Sequence, residues 1–488
     1  MKRTPNSTYS TTLPRFTVLL ASLLIGLTGC PQPDDGEPQQ NTLSVALPDA
    51  IKALVIGDTE IGPRLVRQWK AHEDGELSIE NQTRADWVEA GFPVSEGTDL
   101  IIYPTLLLGE LAEAKKISKL EYAVWNSDEV DKDSWLNHYR RTLTRYGNEP
   151  YAVPLGNPHF AMMYDWAKFS SLEKKAAGDS TAEPESRSSS DVTLPQTWEQ
   201  LEIALNKLDA KLDLPLAEGW AGHAFISRVA SNVRTRGSFS FLFDRSTMEP
   251  RIEQKPFLEA LEQLKRITSE RSLKLSPSQV FELAANGESA SAMCWPTKDA
   301  KLKAMERDSL TVTKVPGSNR IYDFRRSTWK DRLGDEEICV DELGFGGLVA
   351  SRVAGTRHED TATDFIKWVS GKRIVLKTAA QSPLTGPVRA SHLGDLSGWA
   401  GEEVSLEVLE EYAEVVRGLH DRKLMVVFPR IPGVDRYYEA FDSGVRAAIA
   451  DEKTPAEAMA EVAKEWNQIT DALGRRKQTN AMQRESGY

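Results

Sequence analysis

Apolar and polar positions follow two periodicities along this chain, and the two alternate. Residues 42–48 alternate apolar with polar side chains, which predicts a strand, whereas residues 62–72 carry apolar side chains at helical spacing. Residues 98–104 contain a continuous apolar run of the kind buried in parallel sheets, and residues 106–115 return to a helical pattern. Strands that alternate with helices favour an α/β fold with a parallel-rich sheet.

Two segments depart from this pattern. Residues 173–193 are rich in Ser, Glu and Ala, and they carry too little apolar surface to offset the entropy of ordering them. We therefore predict a disordered surface insertion there. The pattern resumes at once, because Thr197 is a candidate helix N-cap and Gln200 completes a capping box. At the other end, residues 476–488 are predicted to form a disordered tail.

The N-terminal segment is typical of a secretory signal peptide. Lys2 and Arg3 precede an apolar run over residues 16–27, which is too short to span a bilayer. The run ends in Leu-Thr-Gly-Cys, and this sequence resembles the lipobox of bacterial lipoproteins. The resemblance implies that residues 1–29 are removed and that Cys30 becomes diacylated.

A lipid on Cys30 would place the protein in the cell envelope, anchored to a membrane on its periplasmic or extracellular face. Residues 30–41 are polar and Pro-rich, as expected of a tether between lipid and folded body. The alternative is a buried N-terminal helix that happens to carry a cysteine.

Charge and motif content exclude several classes of function. The net charge is −12, which argues against nucleic acid as a partner. The seven histidines are scattered, and the chain contains no HxxxH, CxxC, GxSxG, Walker A or GxGxxG motif. We therefore predict no metal, no cofactor and no catalytic residue.

Cysteine usage leaves one question open. If Cys30 carries lipid, Cys294 and Cys339 remain, and such a pair can persist as a disulfide in an oxidising compartment. Pairing needs α-carbons within about 7 Å, which sequence does not show. Two buried thiols are the alternative.

Five short motifs occur in a consistent order after the tether. They are an aromatic-ended strand before a loop and helix at 99–112, Pro-x-Thr-Trp-x-x-Leu at 195–201, a Gly-x-x-x-x-x-Met strand at 287–293, Gly-Gly-Leu-Val-Ala-Ser at 346–351 followed by a helix at 364–369, and Thr-Pro-Ala-Glu-Ala-Met at 454–459. Together they resemble the family-one extracellular solute-binding proteins, the receptors of ABC importers that include the maltodextrin-binding protein.

This resemblance implies two discontinuous α/β lobes that are joined by a hinge and enclose a ligand cleft. Lobe one would combine residues 41–154 with 288–354, and lobe two would combine 155–287 with 355–475. It further implies a monomer that captures a small molecule, with a sugar or oligosaccharide favoured, and delivers it to the permease subunits of an ABC transporter. Closure would be a hinge motion driven by the ligand's contacts with both lobes.

Aromatic side chains are the first candidates for the cleft, because their rings cover the apolar face of a sugar. Tyr103 ends a buried strand where a parallel sheet offers its ligand crevice. The resemblance implies that Tyr437 or Tyr438 takes the position of a cleft-facing aromatic in the maltodextrin-binding member, and Tyr438 is favoured of the two. Trp295 follows a strand end, while Trp220 and Phe345 are flanked by glycines in predicted turns. Core packing is the alternative for each ring.

Polar candidates are fewer. Asn157 and His159 follow the first predicted crossing strand and could hydrogen-bond a ligand. Arg430, like Arg389, could clamp an anionic group, with a solvated surface position as the alternative.

Two other classes of function compete with the receptor hypothesis. A secreted carbohydrate-active enzyme would need two carboxylates about 5–10 Å apart across a cleft, and no local motif singles out such a pair. A ligand sensor or scaffold would use the same fold without a transporter, and sequence barely separates it from the receptor.

Overall fold

A computed structural model describes residues 50–58, 60–73, 75–177, 193–233, 241–302, 310–332, 347–379, 382, 384–422 and 426–486. The predicted signal peptide, Cys30, the tether and the predicted strand at 42–48 therefore lie outside the described residues. So do Cys339, Phe345 and most of the predicted insertion, whose first residues continue a helix that ends at Ala177. No described helix combines the length and the apolar character that a membrane crossing requires.

The strands, numbered along the chain, are β1 (Ile51–Ile56), β2 (Leu77–Gln82), β3 (Leu100–Pro104), β4 (Arg145–Tyr146), β5 (Glu149–Pro150), β6 (Val153–Gly156), β7 (Ala161–Asp165), β8 (Leu212–Asp213), β9 (Ser291–Cys294), β10 (Leu310–Thr313), β11 (Arg320–Asp323), β12 (Thr328–Asp331) and β13 (Leu348–Arg352).

The helices are α1 (Ile61–Glu73), α2 (Arg84–Glu89), α3 (Leu108–Glu113), α4 (Tyr122–Trp125), α5 (Trp166–Ala177), α6 (Trp198–Leu208), α7 (Ala221–Val233), α8 (Lys255–Ile267), α9 (Pro277–Ala285), α10 (Glu359–Ser370), α11 (Lys372–Ala379), α12 (Ser397–Ala400), α13 (Leu406–Asp421), α14 (Val434–Ile449), α15 (Pro455–Leu473) and α16 (Arg475–Glu485).

The first sheet has the strand order β2-β1-β3-β13-β6. Strands β1, β2 and β3 run parallel, and β13 is antiparallel to both β3 and β6. Every residue of β3 is buried, as the apolar run predicted, because β3 lies inside the sheet with both faces covered. Helix α1 packs against β2, and α10 packs against β13 and β6.

The second sheet has the order β10-β7-β9-β8, with β7 antiparallel to both β9 and β10. The chain passes from the first sheet to the second between β6 and β7, over residues 157–160. Helices α9 and α13 pack on this sheet, and α7, α8, α14 and α15 pack together beside it. Helix α8 leads into Thr268, which bridges to Leu212 of β8, so this group of helices belongs to the side of the second sheet.

Strand pairing corrects part of the predicted lobe division. Residues 288–354 were assigned to lobe one, but β9 and β10 pair in the second sheet and only β13 returns to the first. Residues 355–475 were assigned to lobe two, yet α10 and α11 pack against the first sheet. The strand that contains β9 was predicted and β10 was not, and the partners of both are distant in sequence and cannot be inferred from local pattern.

The ends of helices α6 and α16 test two further predictions. The Thr197 hydroxyl accepts a hydrogen bond from the backbone N–H of Gln200, and the Gln200 side-chain oxygen accepts one from the backbone N–H of Thr197, so the predicted capping box is confirmed. The predicted disordered tail is wrong, because residues 475–485 form α16. This helix buries Gln478, Ala481 and Met482 on one face, at helical spacing.

Candidate functional site

Three aromatic rings meet beside the second sheet. Trp295 directly follows β9, and Phe160 directly precedes β7. Because Ala161 and Cys294 are register partners, the two rings flank the same end of that strand pair, with centroids 5.4 Å apart. Trp220, in the turn before α7, lies 5.6 Å from Trp295. Trp295 is 1% exposed whereas Trp220 is half-buried, so Trp220 offers the accessible ring of this group.

The turn that carries Trp220 is fixed by α14. Asp442 accepts hydrogen bonds from the backbone N–H groups of Gly219 and Gly222, at 3.0 and 2.9 Å, and so caps the start of α7. The Tyr438 hydroxyl donates to the Gly219 carbonyl at 2.9 Å and accepts from the His223 N–H at 3.2 Å. The Tyr438 and His223 rings stack with centroids 4.3 Å apart. Burial, helped by the charge of Arg84, holds the pKa of His223 well below its usual range, so the imidazole is neutral.

Arg84 joins this cluster from the side of the first sheet. It opens α2, which begins just beyond β2, behind the N-cap Thr83. Its guanidinium forms an ion pair with Asp435 of α14, and its central carbon lies 5.7 Å from the centroid of the Tyr438 ring. Burial raises the pKa of Asp435 although Arg84 opposes it, and Oδ2 of Asp435 is buried with no hydrogen-bond partner in the described part of the chain. The Arg84 contact, made by Arg84, Asp435 and Tyr438, thus connects the two sides of the molecule.

The chemistry that this arrangement can perform is binding. The half-buried ring of Trp220, which lies beside buried rings and charged hydrogen-bonding groups, suits a ligand with apolar faces and polar edges. Among the described residues no group of three His, Cys, Asp or Glu side chains is placed to hold a metal ion.

Of the predicted site residues that the structure describes, Trp220, Trp295 and Tyr438 come together. The other three described candidates do not join them. Phe345 lies outside the described residues. Tyr103 is fully buried and its hydroxyl lies 2.8 Å from Oγ of Ser351, its neighbour on β13. It was expected at the ligand crevice, but both faces of β3 are covered, so the ring is part of the core.

Asn157 and Arg430 are also buried, each 1% exposed. Asn157 donates to the Pro158 carbonyl at 2.8 Å in the segment that crosses between the sheets. Arg430 forms an ion pair with Glu485 of α16, at 2.7 Å from Nε to Oε1, instead of facing an anionic ligand. The structure therefore gives Arg430 an internal partner.

Of the two cysteines that were predicted to pair, the structure describes only Cys294. The Cys294 thiol is buried on β9, with Sγ 3.6 Å from Sδ of Met163. Its predicted partner Cys339 lies outside the described residues, and the disulfide stays a prediction.

Three histidines form a buried chain near the segment that crosses from the first sheet to the second. The His138 N–H donates to Nδ1 of His420 at 3.3 Å, so a neutral His420 carries its proton on Nε2, which lies 3.2 Å from Nε2 of His159. Nε2 of His138 lies 3.0 Å from the Leu419 carbonyl. Burial lowers the pKa of His138 to about 4 and that of His159 to about 3, and it holds that of His420 well below its usual range. All three are neutral at pH 7.

Sequence reasoning missed Arg84 and His223. The cap formed by Thr83 and Asp86 was a usable signal for Arg84, because it places a helix start directly after a strand of the first sheet. His223 lies three residues after Trp220, one helical turn away, which was a usable signal for a shared face.

Comparison with known proteins gives a clear result for the fold. No protein-family model matches the chain, and no curated protein matches it in sequence. Among solved structures, a solute-binding protein of an ABC transporter from Agrobacterium radiobacter K84, in complex with ribitol, superposes with a TM-score of 0.61 and 16% identity, covering 86% of this chain and 99% of the other. The sugar-binding protein MalE from Xanthomonas citri gives 0.60 and 14%, covering 88% and 98%.

Maltose-bound MalE3 of T. maritima gives 0.58 and 16%, covering 86% of this chain and 100% of the other. The chain therefore has the α/β fold of the ABC-transporter solute-binding proteins, as the sequence predicted. Its two sheets are mixed, whereas the sequence pattern had favoured a parallel-rich sheet. Within that class it is similar to proteins solved with a sugar or a polyol bound.

Proposed function

We propose that this protein is an extracytoplasmic solute-binding lipoprotein that captures a carbohydrate or polyol for an ABC importer by closing around it. The observation that carries the proposal is the cluster of Trp220, Trp295 and Tyr438, which Arg84 reaches from the opposite sheet. A ligand placed among these groups would touch both sides of the molecule, and only such differential contact drives closure. The fold shared with sugar- and polyol-bound receptors supports the same conclusion.

The chemistry of the cluster favours a neutral polyhydroxylated ligand. The positive charge of Arg84 is already matched by Asp435, so this arginine is not free to bind an anionic ligand. Aromatic rings cover the apolar C–H face of a sugar, and the carboxylate and imidazole beside them can bond its hydroxyl groups.

A thermal-shift screen of the purified protein against ribitol, mannitol, maltose, longer maltodextrins, amino acids and inorganic anions tests this function. A ligand at a hundred times its dissociation constant stabilises the folded state by about 2.7 kcal/mol, a shift of a few degrees. We expect a saturable shift with one class of sugar or polyol and no turnover of the compound. Turnover would instead establish an enzyme, and a shift with amino acids or anions alone would overturn the carbohydrate assignment.

Membrane anchorage is the second part of the proposal. The basic start, the apolar run and the lipobox-like ending at Cys30 support it. Cys30→Ser should abolish labelling with a radioactive fatty acid and release the protein from the membrane fraction. Unchanged labelling in that variant would contradict lipidation at this residue.

A further inference from the structure

Helix α16 connects the two sides of the molecule. It follows α15 after a reversal at Gly474, where φ is +91°, and α15 packs with α14 and α8 on the side of the second sheet. From there α16 crosses to α3, which follows β3 of the first sheet through a short turn at Thr105–Leu107. One helix therefore touches both sides.

The outer end of α16 is bound to α3 and to β4. Arg484 donates to both oxygens of Glu113 on α3, at 2.5 and 2.7 Å. The Tyr146 hydroxyl lies between the two elements, with Glu113 2.8 Å away and the Ala481 carbonyl 3.3 Å away. Ala481 and Met482 are 1% and 2% exposed, so the polar contacts surround an apolar seat.

The last residue of the helix supplies the partner for a buried charge. Arg430 is 1% exposed and donates to Glu485 through Nε at 2.7 Å and through a terminal nitrogen at 3.2 Å. It also donates to the carbonyls of Leu143 and Arg145, at 3.2 and 3.1 Å. A fork of two parallel bonds to a carboxylate is the strong form of this ion pair, and it is directional.

The loop that carries Arg430 is itself pressed against α3. A Cβ on Gly109 would lie 1.6 Å from the Arg430 carbonyl oxygen, so only glycine permits this approach. The Gly433 N–H, at the start of α14, donates to Glu110 at 2.5 Å. We call this set, made by Gly109, Glu110, Glu113, Tyr146, Arg430 and the residues 478–485 of α16, the α16 junction.

We propose that α16 is a strap that holds α14 against α3 and thereby restricts how far the two sheets can separate when no ligand is bound. Separation would have to break the Arg430–Glu485 fork and expose Ala481 and Met482, or carry α16 away from α15. The strap therefore favours closed or partly closed conformations over wide opening, and it raises the fraction of receptor that is competent to bind. This inference rests on the hinge closure in the proposed function.

Distances between spin labels on the two sides test the strap without any ligand. The labels go on exposed positions of α1 and α6, at Lys70→Cys and Asn206→Cys, in a background with Cys30→Ser and Cys339→Ser. The test variants are a chain that ends at Gly474 and the full-length double variant Arg484→Ala with Glu485→Gln. Arg476→Ala, an exposed residue on the same helix, is the matched control.

We expect both test variants to shift the distance distribution of the ligand-free protein to longer values, and the control to reproduce the parent distribution. An unchanged distribution in the shortened chain overturns the strap, provided that circular dichroism shows a folded protein. If the shortened chain does not fold, an unchanged distribution in the double variant overturns it. Because no sugar is added, the result stands apart from the ligand screen, and a failed screen would not explain an unchanged distance.

Discussion

Two polar contacts between the two sides of the described structure, the Arg84 contact and the α16 junction, are of opposite character. The Arg84 contact relies on one ion pair whose arginine side chain is 28% exposed, and it leaves Oδ2 of Asp435 without a hydrogen bond in the described part of the chain. In the α16 junction Arg430 is 1% exposed and divides its donors among one carboxylate and two carbonyls. A contact that must break and re-form with each ligand, such as the Arg84 contact, can be partly solvated and can leave a hydrogen-bonding group unsatisfied. A lasting contact, such as the α16 junction, has to exclude water and satisfy every hydrogen-bonding group.

The largest expected effect on the free energy of unfolding comes from breaking the ion pair in the α16 junction. Arg430→Met leaves the Glu485 carboxylate, only 11% exposed, without its cation, and removing one partner of a buried pair destabilises by about 3–5 kcal/mol. Urea unfolding at pH 7.5 measures this loss. Burial already raises the pKa of Glu485, so the carboxyl group can escape by taking up a proton, and the loss should shrink as the pH falls. A loss below about 1 kcal/mol would contradict a buried, directional pair.

The buried histidine chain gives the next effect. In the folded state the pKa of His138 is about 4, below the ordinary value of about 6.5 that it regains on unfolding. The unfolded chain therefore binds more protons below pH 6.5, and stability is lost as the pH falls from 6.5 toward 4, by roughly 2 kcal/mol at pH 5.

His138→Gln is the matched variant for this test, because its amide can donate to the Leu419 carbonyl without titrating. Urea unfolding at pH 7.5 and pH 5 should show that the wild type loses roughly 2 kcal/mol more than the variant over this range. Parallel losses in the two proteins would show that His138 does not resist protonation.

Binding should respond more modestly to the accessible ring of the cluster. Trp220→Ala removes one aromatic surface, worth about 1 kcal/mol, so affinity for the ligand found in the screen should fall roughly fivefold. Calorimetric titration measures this change. Trp329→Ala, a half-buried tryptophan on the hairpin of β11 and β12, is the control and should bind as the wild type does. Equal losses in both variants would place the ligand elsewhere.

The smallest effect on the free energy of unfolding is expected at the Arg84 contact. Arg84→Gln should change the free energy of unfolding by less than about 1 kcal/mol, because solvent screens the charge of Arg84, which is 28% exposed, and the buried Asp435 carboxyl group, whose pKa burial already raises, can take up a proton. Urea unfolding beside Arg430→Met makes the comparison direct. A loss above about 2 kcal/mol would put the Arg84 contact on the same footing as the α16 junction.

Local pattern was enough to predict many elements. The apolar run at 98–104 gave β3, and Thr197 with Gln200 gave the capping box of α6. The turn that carries Trp220 and the strand end that precedes Trp295 were also visible in sequence, and the role of both rings at a ligand site stays a prediction. Each of these inferences depends on residues that are close together in the chain.

The errors arose where the decisive partner is distant. Tyr103 was placed at a crevice because no pattern reveals that β13 covers the edge of β3. Arg430 was treated as a ligand clamp because Glu485, its partner, lies 55 positions away in a segment predicted to be disordered. That segment did carry a signal, since the buried residues 478, 481 and 482 are spaced as on one face of a helix. The segment is so polar on average that this spacing was overlooked.

The α16 junction also has a consequence for how the chain folds. Arg484 and Glu113 are 371 positions apart, and Gly433 and Glu110 are 323 apart. Contacts of such separation form late, because the closure of a long loop must be completed before they contribute. During synthesis α3 therefore stays uncovered, and Arg430 stays without its ion-pair partner, until α16 has left the ribosome. A chaperone would find exposed surface at this place. We expect the assembly of the α16 junction to be the slow final phase of refolding.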